Sequence, residues 1–406
     1  MLNIIQSKEK YCVFDIGTDK LVCLFFKIKD KKPYILGMDH QKNDGFLNNN
    51  CIDQSKLSLS IARAVKKSLP KNSKISDYKC FSNLTDINLI SKKKFSEINS
   101  GKIAITKKDI RRIFKKSIIE SKIRGRYLLH SYPLNFRINN KIIDDPLGHE
   151  CNKLGILSFN IYCSYNVFEI INKCFKNQKI NIKNFFDSGI ASSQANLTNS
   201  EKTTGVACID IGAKTSKVTV FINDKIVYTK IIPIGGEHVT NDIAKGLEIS
   251  RESAEHSKII YGTLNLPFNE KIEINSENFN NKYISRNLLY GIIKPRYEEI
   301  FEIIRDHIFD DIYARVSIKS IVITGGASKI YGLINISESI FNRKVRIGCN
   351  SNKESFFYNK PEFSTILGLI KLAQENNEFN TVNELTKNNF FTAFEKLENW
   401  IEESYA

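Results

Sequence analysis

The sequence lacks two features that would assign it to a membrane or an export pathway. It contains no run of about 18 apolar residues, the length that a membrane-spanning helix needs. Its start, MLNIIQSKEK, has neither the basic stretch nor the apolar core of a signal peptide. We therefore expect a chain that is not exported and carries no transmembrane helix.

Cysteine and histidine are present, but without the spacing that binds metal or forms a disulfide framework. The nine cysteines are odd in number and never form a C-x-x-C arrangement, so we expect reduced thiols. The six histidines show no H-E-x-x-H or other ligand spacing. No structural transition-metal site is expected.

Positive charge is in excess, with a formal net charge of +16. Clustered lysine and arginine would indicate a nucleic-acid partner, because they release counterions from phosphates. Here lysine is spread over the whole chain, and no RNP, helix-turn-helix or aromatic-platform pattern accompanies it. We expect no nucleic-acid binding.

The length of 406 residues, with 42% hydrophobic residues, indicates two to three compact units. Two β-rich runs, 11–17 and 20–28, surround a tight turn, and a third run precedes a helix capped by Asp53. The same order of strands returns after residue 205, with its turn after Asp210. This internal duplication predicts an α/β fold of two similar halves around a cleft.

A segment between the two halves has its own mixed pattern. It contains a helix that starts near Thr106 and two β-like runs, 126–138 and 155–163. This pattern predicts an inserted α+β subdomain. The expected division is a first half (1–83 and 166–198), the insert (84–165), a second half (199–240 and 318–375) with a subdomain (241–317), a polar linker (376–388) and a terminal helix (389–406).

The first turn has the residues that a phosphate group needs. Gly17 allows close approach of the backbone, Thr18 adds a hydroxyl, and Lys20 adds a cation. The carboxylate of Asp15 suits the water molecules that Mg²⁺ retains. A plain hairpin turn is the alternative interpretation.

The second turn repeats this chemistry at Asp210, Gly212, Ala213, Lys214 and Thr215. Two such turns on opposite walls of a cleft predict a triphosphate between them, and Asp210 is a second candidate for Mg²⁺ bound through water.

A third segment, 321–328, is an apolar strand that runs into glycines and then a helix. Gly325 and Gly326 would let a base or ribose approach the backbone. A tight strand-to-helix turn is the alternative.

These three turns, in this order, resemble the superfamily of actin, Hsp70 and sugar kinases, whose fold binds ATP between two duplicated halves. Within it, the segments 232–250, 254–262, 292–308 and 323–333 look like those of the cell division family FtsA. The most specific of them is PIGGEHVTNDIA, and the resemblance spans nearly the whole chain.

The resemblance implies which residues contact ATP. Gly235 and Gly236 would lie beside the phosphates, and Glu255 and Lys258 would face the ribose and base, although an exposed ion pair is the alternative for the latter two. The other implied contacts are Gly17, Thr18, Lys20, Gly212, Ala213, Lys214, Gly325, Gly326 and Ala327.

The second turn departs from the pattern D-x-G-G-G-T-x-D that relatives often carry. Ala213 and Lys214 replace glycines, and Lys217 replaces the acid. The segment 187–191 also lacks the Glu-Pro pair found in Hsp70-like enzymes. ATP binding with at most weak hydrolysis is therefore expected.

The resemblance also implies macromolecular partners. The insert lies where FtsA carries an extra domain used for filament contacts and for other division proteins. A helix that begins near Pro295 resembles the docking surface for the acidic tail of the tubulin-like protein FtsZ, with Arg286 and Arg296 as anchors. A merely solvated role for the two arginines is the alternative.

The terminal segment combines an apolar stripe with acidic residues. Its spacing predicts an amphipathic helix that lies in a membrane interface, although anionic lipid would repel its glutamates, and docking onto the globular body is the alternative. The apolar side chains are Phe390, Phe391, Phe394, Leu397, Trp400 and Ile401.

The expected function is that of an ATP-binding, filament-forming protein that anchors FtsZ filaments to the inner face of the cytoplasmic membrane at the division site and recruits later division proteins. Two alternatives stay open at this point: a PilM-like pilus adaptor, and a catalytic kinase or chaperone-type ATPase of the same superfamily.

Overall fold

The structure is a computed structural model, and it describes residues 9–29, 32–46, 51–268, 270–274, 282–310, 312–348, 357 and 359–375. The predicted linker (376–388) and terminal helix (389–406) lie outside the described residues. The chain divides into two compact units. Unit 1 comprises Met1–Ala191, Lys225–Lys230 and Ile366–Ala406, and unit 2 comprises Ser192–Asp224 and Ile231–Thr365.

The strands are β1 (Lys10–Ile16), β2 (Lys20–Lys29), β3 (Lys32–Lys42), β4 (Lys79–Leu84), β5 (Ile90–Ala104), β6 (Arg126–Ile138), β7 (Lys141–Ile143), β8 (Glu150–Ser164), β9 (Ile182–Asp187), β10 (Val206–Ile211), β11 (Ser216–Ile222), β12 (Lys225–Ile232), β13 (Lys271–Ile274), β14 (Lys282–Ser285), β15 (Ser320–Thr324) and β16 (Lys344–Ile347).

The helices are α1 (Gln54–Ser68), α2 (Lys107–Glu120), α3 (Tyr165–Asn177), α4 (Ser188–Asn196), α5 (Asn199–Thr204), α6 (Gly236–Leu247), α7 (Arg251–Tyr261), α8 (Arg286–Phe309), α9 (Ile312–Ser317), α10 (Leu333–Phe341) and α11 (Ser364–Glu375). Short 3-10 helices occupy Ile75–Asp77, Gly326–Lys329 and Pro361–Phe363. No helix among the described residues is long and apolar enough to span a membrane.

Unit 1 is built on a five-stranded sheet in the order β3-β2-β1-β4-β9. Strand β1 is antiparallel to β2 and parallel to β4, which in turn is parallel to β9. Residues 11–16 of β1 and 21–26 of β2 are all buried, as in strands covered on both faces. Phe14 of β1 meets Phe175 of α3 edge to face at 4.9 Å, in the core that α1 and α3 share with the sheet.

Helix α1 shows why the local sequence folds as it does. The carboxylate of Asp53 accepts a hydrogen bond from the backbone N–H of Lys56 at 3.0 Å, which caps the start of the helix. Leu57, Ile61 and Ala64 are fully buried on one face. The helix predicted behind Asp53 is confirmed.

The insert segment forms a separate sheet within unit 1, in the order β5-β8-β6-β7, covered by α2. The Asp109 carboxylate accepts from the backbone N–H of Thr106 at 3.1 Å and from its hydroxyl at 2.6 Å, which holds the start of α2. Ile113, Leu154 and Ile156 are fully buried in a core of their own. The predicted mixture of helix and strands is confirmed, while the exact boundaries 84–165 stay a prediction.

Unit 2 repeats the strand order of unit 1. Within unit 2 the sheet runs β11-β10-β15-β16, with β10 antiparallel to β11 and parallel to β15, which is parallel to β16. In both sheets the first strand of the repeat therefore lies between its hairpin partner and a parallel strand. The predicted duplication is confirmed.

The helix predicted to begin near Pro295 begins earlier. Helix α8 starts at Arg286, behind Ser285, whose hydroxyl accepts from the backbone N–H of Asn287 at 3.2 Å. Pro295 lies inside the helix, where it has no backbone N–H to donate to the carbonyl of the exposed Gly291 one turn earlier. The predicted start was wrong, because the serine cap and not Pro295 defines where the helix begins.

Candidate nucleotide-binding turns

In unit 1, a tight turn joins β1 to β2 and holds the first set of predicted residues. The backbone N–H of Gly17 donates to the carbonyl of Lys20 at 2.9 Å, which closes the turn. Asp15 and Thr18 are 4% and 7% exposed, so both side chains belong to the interior of the unit. The structure thus brings the four residues predicted for this turn together at one end of β1.

Asn83 is a residue of this turn that the sequence reasoning missed. Its side-chain amide donates to the Asp15 carboxylate at 2.9 Å, and its side-chain oxygen accepts from the backbone N–H of Ile16 at 2.7 Å. Because the parallel strands β1, β4 and β9 end at the same edge of the sheet, Asp15, Asn83 and Asp187 lie at that edge together. A buried amide near the end of a parallel strand is the signal that could have identified Asn83.

In unit 2, the second turn packs against the start of α6. The N–H of Gly212 donates to the carbonyl of Thr215 at 2.9 Å, and the N–H of Gly236 donates to the carbonyl of Gly212 at 2.9 Å. A Cβ atom at Gly235 would lie 2.6 Å from the carbonyl oxygens of Gly212 and Ala213. Only glycine fits at position 235, and the turn and the helix start form one backbone surface.

The third predicted segment joins the same surface. Gly325 has φ of 92°, and a Cβ atom there would overlap the carboxylate of Asp210. A Cβ atom at Gly236 would lie 2.9 Å from the Cβ atom of Ala327. The backbone carbonyl of Ala327 accepts a hydrogen bond from the Tyr297 hydroxyl at 2.8 Å. The glycines are followed by a 3-10 helix, and α10 begins only at Leu333.

Helices α6 and α7 bring a polar network to this surface. The Lys258 ammonium contacts the Glu255 carboxylate at 2.6 Å, the Thr240 hydroxyl at 2.7 Å and the carbonyl of Gly236 at 3.1 Å. The side chain of Lys258 is 12% exposed and that of Glu255 is 46% exposed. Glu255 and Lys258 therefore form a salt bridge, and the Lys258 ammonium is held beside Gly236 at the predicted phosphate-binding turn. Thr240 is a further member that the sequence reasoning missed.

Arg286 and Arg296, the predicted anchors for an acidic peptide, both bind carboxylates of their own unit. Arg286 contacts Glu270 at 2.5 Å. Arg296 forms a bidentate salt bridge with Asp242, in which one N–O distance is 3.1 Å. It also contacts the Glu299 carboxylate. Both guanidinium groups are therefore paired with carboxylates of unit 2.

Comparison with solved structures defines the class of the fold. A solved structure of the PilM–PilN type IV pilus biogenesis complex matches with a TM-score of 0.64 at 13% identity, over 90% of this chain and 98% of that chain. MreB 5 of Spiroplasma citri bound to AMPPNP matches with a TM-score of 0.55 at 12% identity, over 92% and 99% of the two chains. The chain has the actin-like ATPase fold.

Sequence comparison shows which proteins of that class the chain is similar to. The family model described as cell division protein FtsA matches residues 207–368. The cell division protein FtsA of Buchnera aphidicola subsp. Acyrthosiphon pisum is 27% identical over 99% of this chain and 100% of its own length. That of Pseudomonas aeruginosa is 26% identical over 90% of this chain and 89% of its own length. The chain is therefore similar to cell division proteins FtsA over nearly its whole length.

Proposed function

We propose that this chain binds ATP, assembles into filaments and anchors FtsZ filaments to the cytoplasmic face of the inner membrane at the division site, where it recruits later division proteins. The observation that carries the proposal is the meeting, in unit 2, of three separate glycine segments with the anchored ammonium of Lys258.

The backbone surface of unit 2 fits a nucleotide. Gly235, Gly236 and Gly325 lie so close to neighbouring atoms that side chains there would displace them, so these glycines keep the three segments packed as one backbone surface. Backbone N–H groups on such a surface can bind a phosphate. Lys214 adds a cation to the same turn, and the turn at Gly17 in unit 1 offers a second phosphate-binding backbone. The AMPPNP in the structure of the MreB 5 neighbour supports ATP as the ligand.

In this proposal, the polar network of Thr240 on α6 with Glu255 and Lys258 on α7 recognises the adenosine. The half-exposed carboxylate of Glu255 is an acceptor for ribose hydroxyl groups, while Lys258 and Thr240 hold that carboxylate in place. The ion pair and the nucleotide contact are therefore compatible roles for the same residues.

The two predicted positions for Mg²⁺ differ in their fit. Asp15 presents a carboxylate that Asn83 orients, which suits a metal held through water. Asp210 does not fit, because the Lys217 ammonium already contacts its Oδ2 atom at 3.3 Å.

We further propose that hydrolysis is weak at most. Asp187 is the first residue of the segment that lacks the Glu-Pro pair, and its carboxylate accepts from the backbone N–H of Ile190 at 2.8 Å and from the Thr229 hydroxyl at 3.3 Å. The two contacts commit its Oδ1 atom to the start of α4 and to β12, which disfavours a role of that oxygen as general base.

The partner roles rest on the chemistry of three surfaces. Arg286 and Arg296 bind carboxylates already, which supports recognition of the acidic FtsZ tail. The apolar stripe within 389–406 supports lipid binding, and the separate sheet of the insert supports contacts with copies of this chain and with other division proteins.

Titration of ATP into the full chain by calorimetry tests the nucleotide proposal. Lys258→Gln and Thr240→Val should each weaken ATP binding by about tenfold, because each removes a hydrogen bond that orients Glu255. Lys245→Gln, on the exposed side of α6, has the same charge change as Lys258→Gln and should bind as the parent does. A parent chain that does not bind ATP would refute the proposal.

Binding of a fluorescent FtsZ tail peptide, followed by anisotropy, tests the docking proposal. Arg296→Gln should weaken peptide binding by about tenfold, since it removes the guanidinium group that can bind a carboxylate in a bidentate manner. Arg305→Gln serves as the control, because Arg305 lies on the same helix and contacts its chain neighbour Asp306. Equal affinity of the two variants would exclude Arg296 as an anchor.

A further inference from the structure

The second turn of unit 2 contains a buried ion pair that neither the family match nor the turn itself requires. Nζ of Lys217 lies 3.3 Å from Oδ2 of Asp210, with side-chain exposures of 11% and 6%. Burial of two charges is unfavourable unless they are paired, so this contact is a fixed part of the unit.

The strand register holds the two residues in place. The hairpin between β10 and β11 puts Asp210 directly opposite Lys217, and the hydrogen bond from Gly212 to Thr215 closes the turn between them. A shift of one residue would move every side chain of β11 to the other face of the sheet. The position of the ammonium group is thus set by the fold and not by a flexible surface chain.

The surroundings of Asp210 are also filled. Its Oδ2 atom accepts from the Thr365 hydroxyl at 3.3 Å, and its Oδ1 atom lies against the backbone of Gly325. A Cβ atom at Gly212 would lie 3.7 Å from the Lys217 ammonium, which places that cation next to the glycine of the phosphate-binding turn.

We propose that the Lys217 ammonium takes the place of a metal ion in this turn, as its resident cation. It pairs with the Asp210 carboxylate, which would otherwise hold metal-bound water, and it neutralises a phosphate of the bound nucleotide. The inference rests on the proposed binding of ATP and adds to it that Mg²⁺, for which only the position at Asp15 remains among the two predicted ones, contributes little to affinity. A dication near Asp210 is disfavoured because the ammonium repels it, while a phosphate beside Gly212 gains an attractive charge in a site of low dielectric.

The test measures the affinity of the full chain for ATP by calorimetry, once with Mg²⁺ and once with EDTA. The parent affinity should change by less than about threefold between the two conditions. Lys217→Asp should lose at least about tenfold in EDTA and recover most of that loss in Mg²⁺, since a second carboxylate creates a site for the metal. Lys344→Gln, at the exposed start of β16, removes a lysine elsewhere in unit 2 and should match the parent.

Lys217→Arg provides a variant that keeps the charge and the buried pair, and it should retain metal-independent binding even if Lys217→Asp fails to fold. If the parent loses more than about tenfold in EDTA, the resident-cation inference is overturned while the proposed function stands. If the parent binds no ATP in either condition, both are overturned.

Discussion

The backbone N–H of Asp187 donates to Nε2 of His130 at 3.0 Å, inside unit 1, where both side chains are buried. The contact joins the end of β9, on the central sheet, to β6 of the insert sheet. Because Nε2 accepts this hydrogen bond, the imidazole must be neutral there. Burial lowers the pKa of His130 from its usual 6.5 to about 3.

This histidine predicts how stability depends on pH. Its folded pKa lies below its unfolded pKa, so its contribution is fully present above about pH 6.5 and is lost as the pH falls towards 3. Between about pH 7.5 and about pH 5.5 the free energy of unfolding should fall by about 1 kcal/mol through this group. Denaturant unfolding at both pH values measures the change.

His130→Gln is the variant for that experiment, because its side-chain oxygen can accept the same hydrogen bond without titrating. It should show a smaller loss of stability between the two pH values than the parent does. His149→Gln, at an exposed position, should keep the parent's pH dependence. An unchanged loss in His130→Gln would show that another group controls the acid response.

A second prediction concerns the contact between Arg346 on β16 and Glu201 on α5, in unit 2. The guanidinium donates to both carboxylate oxygens at 2.6 and 2.7 Å and to the carbonyl of Asn196 at 2.7 Å. Burial by itself raises the pKa of Glu201, but hydrogen bonds from Arg346 and Thr198 outweigh it and lower that pKa to about 2.

Because the pKa of Glu201 is depressed, its contribution is present above its usual pKa of 4.5 and is lost as the pH falls towards 2. Glu201→Gln should therefore cost about 1 kcal/mol of unfolding free energy at neutral pH, a value reduced by the partial exposure of Arg346. Chemical denaturation measures it. The difference between variant and parent should shrink in acid, and a difference that does not depend on pH would contradict the assignment.

A third prediction concerns Gly368 on α11. A Cβ atom there would overlap the backbone carbonyl of Ala191 within unit 1. Gly368→Ala should lower the free energy of unfolding by about 1–3 kcal/mol, because the two backbones would have to separate. Thermal unfolding of the full chain is the measurement.

Gly291→Ala is the matched control for that change. Gly291 lies on the exposed side of α8, and among the described residues no atom outside its own helix turn comes within 4 Å of the place that a Cβ atom would take. Alanine should therefore be tolerated there or stabilise the helix by up to about 1 kcal/mol. If the two variants unfold at the same temperature, close approach of the backbone at Gly368 is not a source of stability.

The helices and strands that could be predicted from the sequence are those marked by residues close together in the chain. The hairpin around Gly17 and its repeat around Gly212 follow from runs of apolar residues on either side of a turn, and Asp53 marks a helix start by its position alone. The helix containing Pro295 was predicted to start too late, because the cap at Ser285 was not recognised in the sequence.

Residues that depend on distant neighbours could not be predicted in the same way. Asn83 is 68 residues from Asp15 and meets it only because β1 and β4 pair in parallel. Lys217 was recognised as a departure from the family pattern, but its pairing with Asp210 depends on the register of the hairpin. Such contacts become visible only when the strands are assembled.

The central claim, that this chain connects FtsZ to a membrane, is tested most directly by sedimentation with liposomes in the presence of ATP. The full chain is compared with a version that ends after residue 388, each with a labelled FtsZ tail peptide. We predict that the full chain sediments with lipid and carries the peptide, while the shortened chain binds the peptide but stays in the supernatant. Both versions staying in the supernatant without peptide would contradict the account.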